Sequence, residues 1–443
     1  MAATTASLLR AAADRRAAFE TALIAAGLLV LLLVLPHALN GDDNIRFRDI
    51  EQLIHHGHLT SSKFSLVGPL CSAPFLLLGE VVGSPAWWAA RFNVFLVAGG
   101  LAAGFALTRG RVAPGLFRTF ALVLLFASFV TDRLRDYGTE VFTGTLLVLG
   151  TMAVIDGRYR RAGWAAIIVG VVNMPAAFPG LVLVVVARAL RTRRLRFLLT
   201  PVAAAILILL EAWLRRGSPF TTGYEDDHGI KTLMPYSGRP GFSYPFVLGL
   251  FSILFSFGRG LIFFVPGLLL WFGERTRRLV PNREFVTYLL LFVAALVLVY
   301  AKWWAWYGGG SWGPRYFVLA AVPASLFIAV RLRAGEASVW GAVATLAVLA
   351  FSSWVSVTGA LENSWHAGFC SSNGFQIEYV CWYVPDFSSL WWPVTHHPPL
   401  TAANVCLTAY CFGVFAYLAA PLLRELWRAL AQVPSTLAHG WRL

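Results

Sequence analysis

Charge is what this chain has least of. Only 13% of its 443 residues are Asp, Glu, Lys or Arg, about half the share found in water-soluble domains, which excludes the soluble globular classes. Cysteine is also scarce, at five residues, and none forms a CxxC; HExxH is likewise absent. The spacings of zinc fingers and zincins are therefore missing. Acids are outnumbered, 22 against 36 basic residues. No internal repeat is visible. What is present is apolar sequence: 58% hydrophobic, 14% aromatic, with a mean hydropathy of +0.67. These values describe an all-α polytopic membrane protein built as one domain over 1–443.

A membrane-crossing helix needs roughly 20 apolar residues. Such runs predict spans near 20–40, 86–108, 118–131, 139–155, 163–174, 178–190, 197–215, 257–273, 284–301, 315–332, 337–360 and 402–422, about twelve in all. Residues 21–36 run longer than a signal-peptide core and no small-x-small site follows closely, so the first helix is read as retained. Pro175 and Pro179 predict a bent hairpin between the fifth and sixth spans.

With a cytoplasmic N-terminus, the inner segments collect 23 of the 36 basic residues and 7 of the 22 acids, from Arg10, Arg15 and Arg16 to Arg424, Arg428 and Arg442. Positive charge is retained on the cytoplasmic side during insertion. The basic character thus reports topology, with both termini inside a bacterial plasma membrane, and not a nucleic-acid partner. The long, chemically mixed loops 41–85, 216–256 and 361–401 then face outward, so function should face the periplasm or exterior. An oxidising compartment allows Cys370 and Cys381 to pair, and the sequence leaves that open.

Asp42 and Asp43 stand where the first apolar run ends. Paired carboxylates at a membrane edge are costly to hold there and point to function. Beyond them, Ile45, Phe47, Ile50, Leu53 and Ile54 recur at helical spacing opposite Arg46, Arg48, Asp49, Glu51 and Gln52, predicting an amphipathic helix on the outer surface. Phe64 to Gly79 reads as a second one. In the loop after the third span, Arg133 and Arg135 could clamp a phosphate, because a guanidinium matches phosphate oxygens bidentately. The loop 216–256 carries Tyr224 and then Glu225, Asp226 and Asp227, a triplet compatible with a divalent cation without requiring one. Arg259 sits between two glycines at the outer membrane edge. Further on, Lys302 precedes Trp306, three glycines, Trp312 and Arg315. Glycines let backbone approach a ligand, aromatic faces hold sugars, and Lys302, Arg259 and Arg315 would seat a phosphate.

Several of these stretches resemble the GT-C superfamily of integral-membrane glycosyltransferases. They are Asp42-Asp43, the segment from Ser62 to Gly79, Gly217-Ser218-Pro219 with Thr222-Gly223-Tyr224, Gly258-Arg259-Gly260-Leu261 with Pro266, and Trp306-Tyr307-Gly308-Gly309 with Trp312-Gly313-Pro314-Arg315-Tyr316. The resemblance implies a GT-C fold and an inverting transferase, which moves arabinofuranose or mannose from a polyprenyl-phosphate donor to a cell-envelope glycan, lipid or protein. No cofactor is implied. An acid of the first outer loop would be general base, with the reading leaning to Asp43 and leaving Asp42 to position. Arg315, Arg259, Lys302 and Arg133 would hold the donor phosphate, and Tyr224, Trp306, Trp312 and Glu140 the substrate. The family's acid pair in the second outer loop is matched loosely, by Asp132, Asp136 and Glu140. A lipid-linked sugar transporter or flippase, or an O-antigen-type ligase or polymerase, are the rival classes; transporters characteristically show internal repeats and interrupted helices.

Overall fold

Apolar runs in a bilayer satisfy their backbone polar groups within the helix itself, and helix makes up 74% of the computed structural model of the chain. The structure describes residues 2–440 apart from 235, 271–273, 281, 336–337 and 362–363; Arg442 lies outside the described residues. Among those described there is no strand, only an isolated bridge between His228 and Pro240. The principal helices are α1 (Ala2–Leu33), α2 (Asp42–His56), α3 (Val67–Val82), α4 (Phe92–Thr108), α5 (Pro114–Phe126), α6 (Thr139–Asp156), α7 (Arg160–Asn173), α8 (Phe178–Thr192), α9 (Leu199–Arg216), α10 (Phe246–Phe255), α11 (Arg283–Tyr300), α12 (Val318–Ala334), α13 (Val339–Ala360) and α14 (Ala402–Gly440). Their ends follow local chemistry. Asn282 accepts from the amides of Glu284 and Phe285 to start α11, and Ser338 accepts from Gly341 to start α13. Left-handed Gly57, Gly157 and Gly217 close α2, α6 and α9. Between α7 and α8 the predicted bend is a short 3-10 turn, Pro175–Ala177.

Among the described residues, eight helical segments are long and apolar enough to cross a membrane, and α3, α4, α5 and α10 are shorter apolar helices. The chain is an all-helical, multi-pass membrane protein. The expected span over 257–273 is not one helix. Its described part consists of Leu261–Phe264 and the 3-10 turn Pro266–Leu269, preceded by α10, which the sequence reading had placed in an outer loop; 271–273 fall outside the described residues. Gly258, Gly260 and Pro266 break the run, and close packing enforces it: a Cβ on Gly258 would come within 2.0 Å of the Cys381 carbonyl oxygen.

Burial separates the layers. The window containing α12 is 72% buried, so it runs through the centre against α5, α6 and α11. Those containing α1 and α9 are 17% buried and leave most of their surface for lipid. One apolar core joins nearly all the long helices, and a smaller cluster under α2 and α3, including Phe47, Ile50, Leu76, Phe92, Tyr137 and Phe142, seats the segment that carries Asp42 and Asp43.

Candidate active site

Asp42 and Asp43 form the first turn of α2, where the helix dipole favours carboxylates. The helix faces differently from the amphipathic reading. Asp43, Arg46 and Asp49 are buried beside Phe47 and Ile50, whereas Ile45 is exposed. Burial of charge at helical spacing is sustained by partners on other segments. Asp43 accepts from Arg46 at 2.8 Å and from the Tyr137 amide at 3.0 Å, and the Arg46 guanidinium lies 4.2 Å from the Phe64 ring centre. Asp49 meets Arg215 at 3.2 Å and the Thr60 hydroxyl at 2.7 Å. Arg215 also holds the Thr60 and Phe64 carbonyls and Glu211, which in turn receives the Leu66 amide at 2.8 Å. Residues 60–66 are thus clamped to the end of α9, and α2 with them.

A second wall comes from 132–140. Arg133 is buried and ion-paired with Asp132 and, at 2.9 Å, with Asp136. It braces its own loop and is not presented to a ligand. Asn93 fixes the same loop through the carbonyls of Asp136 and Gly138, at 2.7 and 3.0 Å.

Arg315 closes the third side. Its Nη2 lies 3.0 Å from Asp42 Oδ2 and its Nε 3.8 Å from Glu140, with Ser311 at 3.4 Å and the Tyr316 ring beside it. Tyr316 stacks in parallel on Tyr300 at 4.0 Å. Gly308, at φ +81, makes room: a Cβ there would stand 2.9 Å from Arg315 Cγ. Tyr224 lies edge-on to Trp303 at 5.5 Å, and Lys63, tied to Asp227 at 2.9 Å, lies 5.2 Å from the Tyr224 ring centre.

The electrostatics separate the two aspartates. Asp42 keeps about a third of its side chain exposed. Burial alone would raise its carboxyl, but Arg315, Arg46 and Lys63 together hold it below the ordinary value. Asp43 is 11% exposed. Burial first, then the carboxylates of Asp136 and Glu140, push it up to about 7 against the pull of Arg46. Burial likewise raises the Tyr224 hydroxyl.

Of the residues singled out from sequence, Asp42, Asp43, Glu140, Arg315 and Tyr224 therefore gather at one place. Others do not. Arg259 is buried beside the loop 361–401, donating to the Gly309 carbonyl at 3.3 Å, with the Glu378 carboxyl nearby. Lys302 is exposed. Trp306 packs among Tyr244, Tyr307, Trp382 and Tyr383, and Trp312 against Phe264, both in the core. Sequence reasoning missed Arg46, Lys63, Tyr137 and Tyr316 as neighbours of the aspartates. Arg46, three residues after Asp43, and Tyr316, next to Arg315, carried a local signal.

Cys370 and Cys381 form a disulfide. Together with His366 they were the only grouping of potential metal ligands found among the described residues, and paired sulfurs offer no thiolate. Two apolar cavities of about 120 and 70 Å³ lie between α4, α5, α6 and α12, sharing Phe117, Phe120 and Met152. The smaller reaches Val141 and Val318, next to Glu140 and close to Arg315 in sequence.

No protein-family model, curated protein or solved structure matches this chain.

Proposed function

We propose that the chain is an inverting, GT-C-type glycosyltransferase that moves a sugar from a polyprenyl-phosphate donor to an envelope glycan, lipid or protein. In this reading the chain crosses a bacterial plasma membrane about twelve times, counting the broken passage 246–269 as one, with both termini cytoplasmic and the aspartates outside. The observation that carries it is the 3.0 Å pair between Asp42 and Arg315, open on one side, at the foot of a cluster of carboxylates.

The arrangement supports a coupled step. The donor phosphate displaces Asp42 from Arg315, because a guanidinium binds phosphate bidentately. Asp42, released from its cation, becomes the stronger base. The acceptor hydroxyl attacks the anomeric carbon and its proton passes to Asp42. The bond from that carbon to the phosphate oxygen breaks, its electron pair staying on the lipid phosphate, which Arg315 stabilises. A single displacement inverts the configuration. Accessibility favours Asp42 as base, since both Asp43 oxygens are engaged; Asp43 then positions α2 through Arg46 and Tyr137. The smaller apolar cavity, which reaches Val141 and Val318, suits part of the donor's tail.

The test is transfer from a polyprenyl-phosphate sugar by Asp42→Asn and Asp43→Asn. Asp42→Asn should lose turnover while still binding donor, and Asp43→Asn should retain part of it. Full activity in Asp42→Asn rejects the base assignment. The interrupted passage 246–269 raises the transporter reading as the rival, and that reading predicts movement of intact donor across vesicles without cleavage of its phosphate-sugar bond.

A further inference from the structure

A second cluster of charge lies elsewhere along α1. At 1.5 Å per residue, Glu20 is about 20 Å down that helix from its C-terminal end, and so well away from Asp42. Glu20 is buried, at 1% exposure. It receives Arg16 of its own helix at 3.1 Å, Arg118 of α5 at 2.8 Å, Arg333 of α12 at 2.6 Å and the Tyr417 hydroxyl of α14 at 2.8 Å. Arg333 also donates to Thr119 at 2.6 Å, and Gly115 leaves room for its guanidinium, since a Cβ there would stand 3.1 Å from Nη1.

One carboxylate balances one guanidinium, so this junction of four helices carries two cationic charges in excess. A staple between helices needs no such excess. Arg118 gives Glu20 only its Nε, and Arg16 is half exposed. The surroundings specify what the surplus would meet. The α1 span is only 17% buried, so lipid covers most of it. Beside the arginines the Phe19 ring is 53% exposed and packs on Tyr417 at 5.2 Å. An anion at this site therefore has an apolar surface beside it, on the side of the membrane where the arginine sorting puts the cytoplasm and where anionic lipids attract basic residues.

We propose that Arg16, Arg118 and Arg333 form a binding site for the phosphate of an anionic phospholipid, with Phe19 against its acyl chains. The proposal stands apart from the glycosyltransferase reading, because it uses none of the residues near Asp42. The experiment uses the purified full chain, with phosphatidylglycerol or phosphatidylcholine titrated into detergent micelles. Binding is read by thermal unfolding and by native mass spectrometry. Phosphatidylglycerol should raise the unfolding temperature and remain bound where phosphatidylcholine does not. Each arginine removed should weaken it about five-fold, the scale of one basic residue near an anionic surface, in Arg16→Gln and in Arg16→Gln with Arg118→Gln. Arg16→Gln, at an exposed side chain, serves alone if the double variant does not fold, and Arg16→Lys should restore most of the affinity. Equal retention of both lipids, or unchanged affinity in Arg16→Gln, overturns the proposal. Inorganic phosphate giving the same protection as the lipid overturns the lipid as its source.

Discussion

Gly308 offers a sharp test of Arg315, because its neighbour supplies the control. Gly308 and Gly309 both have positive φ, +81 and +68, so an alanine at either is strained by about 1–2 kcal/mol. They differ in what the new methyl meets. At Gly309 nothing lies within 4 Å, whereas at Gly308 the Cβ would stand 2.9 Å from Arg315 Cγ and 3.3 Å from Nε. To reach ordinary contact the side chain must retreat by about 0.5 Å at Cγ, carrying with it the guanidinium that now meets Asp42 at 3.0 Å. Misplacement on the order of 1 Å at a reacting centre costs about 100-fold in rate. Gly308→Ala should therefore lose roughly 10- to 100-fold in kcat/KM for a polyprenyl-phosphate sugar beyond any loss in Gly309→Ala. Thermal unfolding should fall by similar amounts in both. Equal activities in the two variants would refute the claim that the position of Arg315 governs the chemistry.

Three further predictions follow from the same geometry. Asp43, near 7 when folded against about 3.9 unfolded, retains a proton between those pH values that the unfolded chain has lost, so its contribution to stability falls as pH rises through that window and is level above it. The unfolding temperature of the wild type minus that of Asp43→Asn should accordingly shrink from pH 4 to pH 7, and a constant difference would show that Asp43 titrates normally. Arg215→Met strands the buried Asp49 carboxylate and should cost about 3–5 kcal/mol in thermal unfolding; a loss near zero means that residues 60–66 are held some other way. In a background with the exposed free thiols removed as Cys71→Ser and Cys406→Ser, a membrane-impermeant maleimide added to intact cells should label Asp226→Cys and spare Arg194→Cys, both at exposed positions, and the reverse pattern would invert the topology.

Much of the helical frame was legible, because apolar length determines a membrane helix almost by itself. The site was legible where a residue's local setting matched its destination: Asp42 after the first apolar run, Arg315 after a glycine turn, Tyr224 in a long loop. The orientation of α2 was not. Arg46 and Asp49 look like a solvated face, and what turns them inward is Arg215, 166 residues beyond Asp49, with no trace in the local pattern. Trp306 and Trp312 misled for the opposite reason: interfacial tryptophans and core tryptophans share the same apolar neighbourhood in sequence, and only packing against Trp382 and Phe264 separates them. Arg133 looked free because its partners were read as loop charges, and in the fold those same charges consume it.

The interrupted passage is where transfer and transport part. In a carrier, unwound backbone within the membrane lines a cavity and coordinates the cargo. Here the unwound groups are already engaged. The Gly258 amide donates to the Trp382 carbonyl at 3.0 Å, and the Gly258 carbonyl accepts from Ser389 at 3.4 Å. The adjacent Arg259 is buried with Glu378 nearby, and burial raises that carboxyl to about 7. These contacts come from the segment that follows the Cys370–Cys381 disulfide, which fills the break and leaves no room there even for a methyl group. A carrier would have to expel that segment once per cycle. A transferase needs it to stay, since Gly258 and Gly309 both lie on Arg259, and Gly309 leads through the glycine turn to Arg315. Donor cleavage should therefore survive conditions that keep the disulfide closed, and breaking the seat with Gly258→Ala should depress it without creating transport.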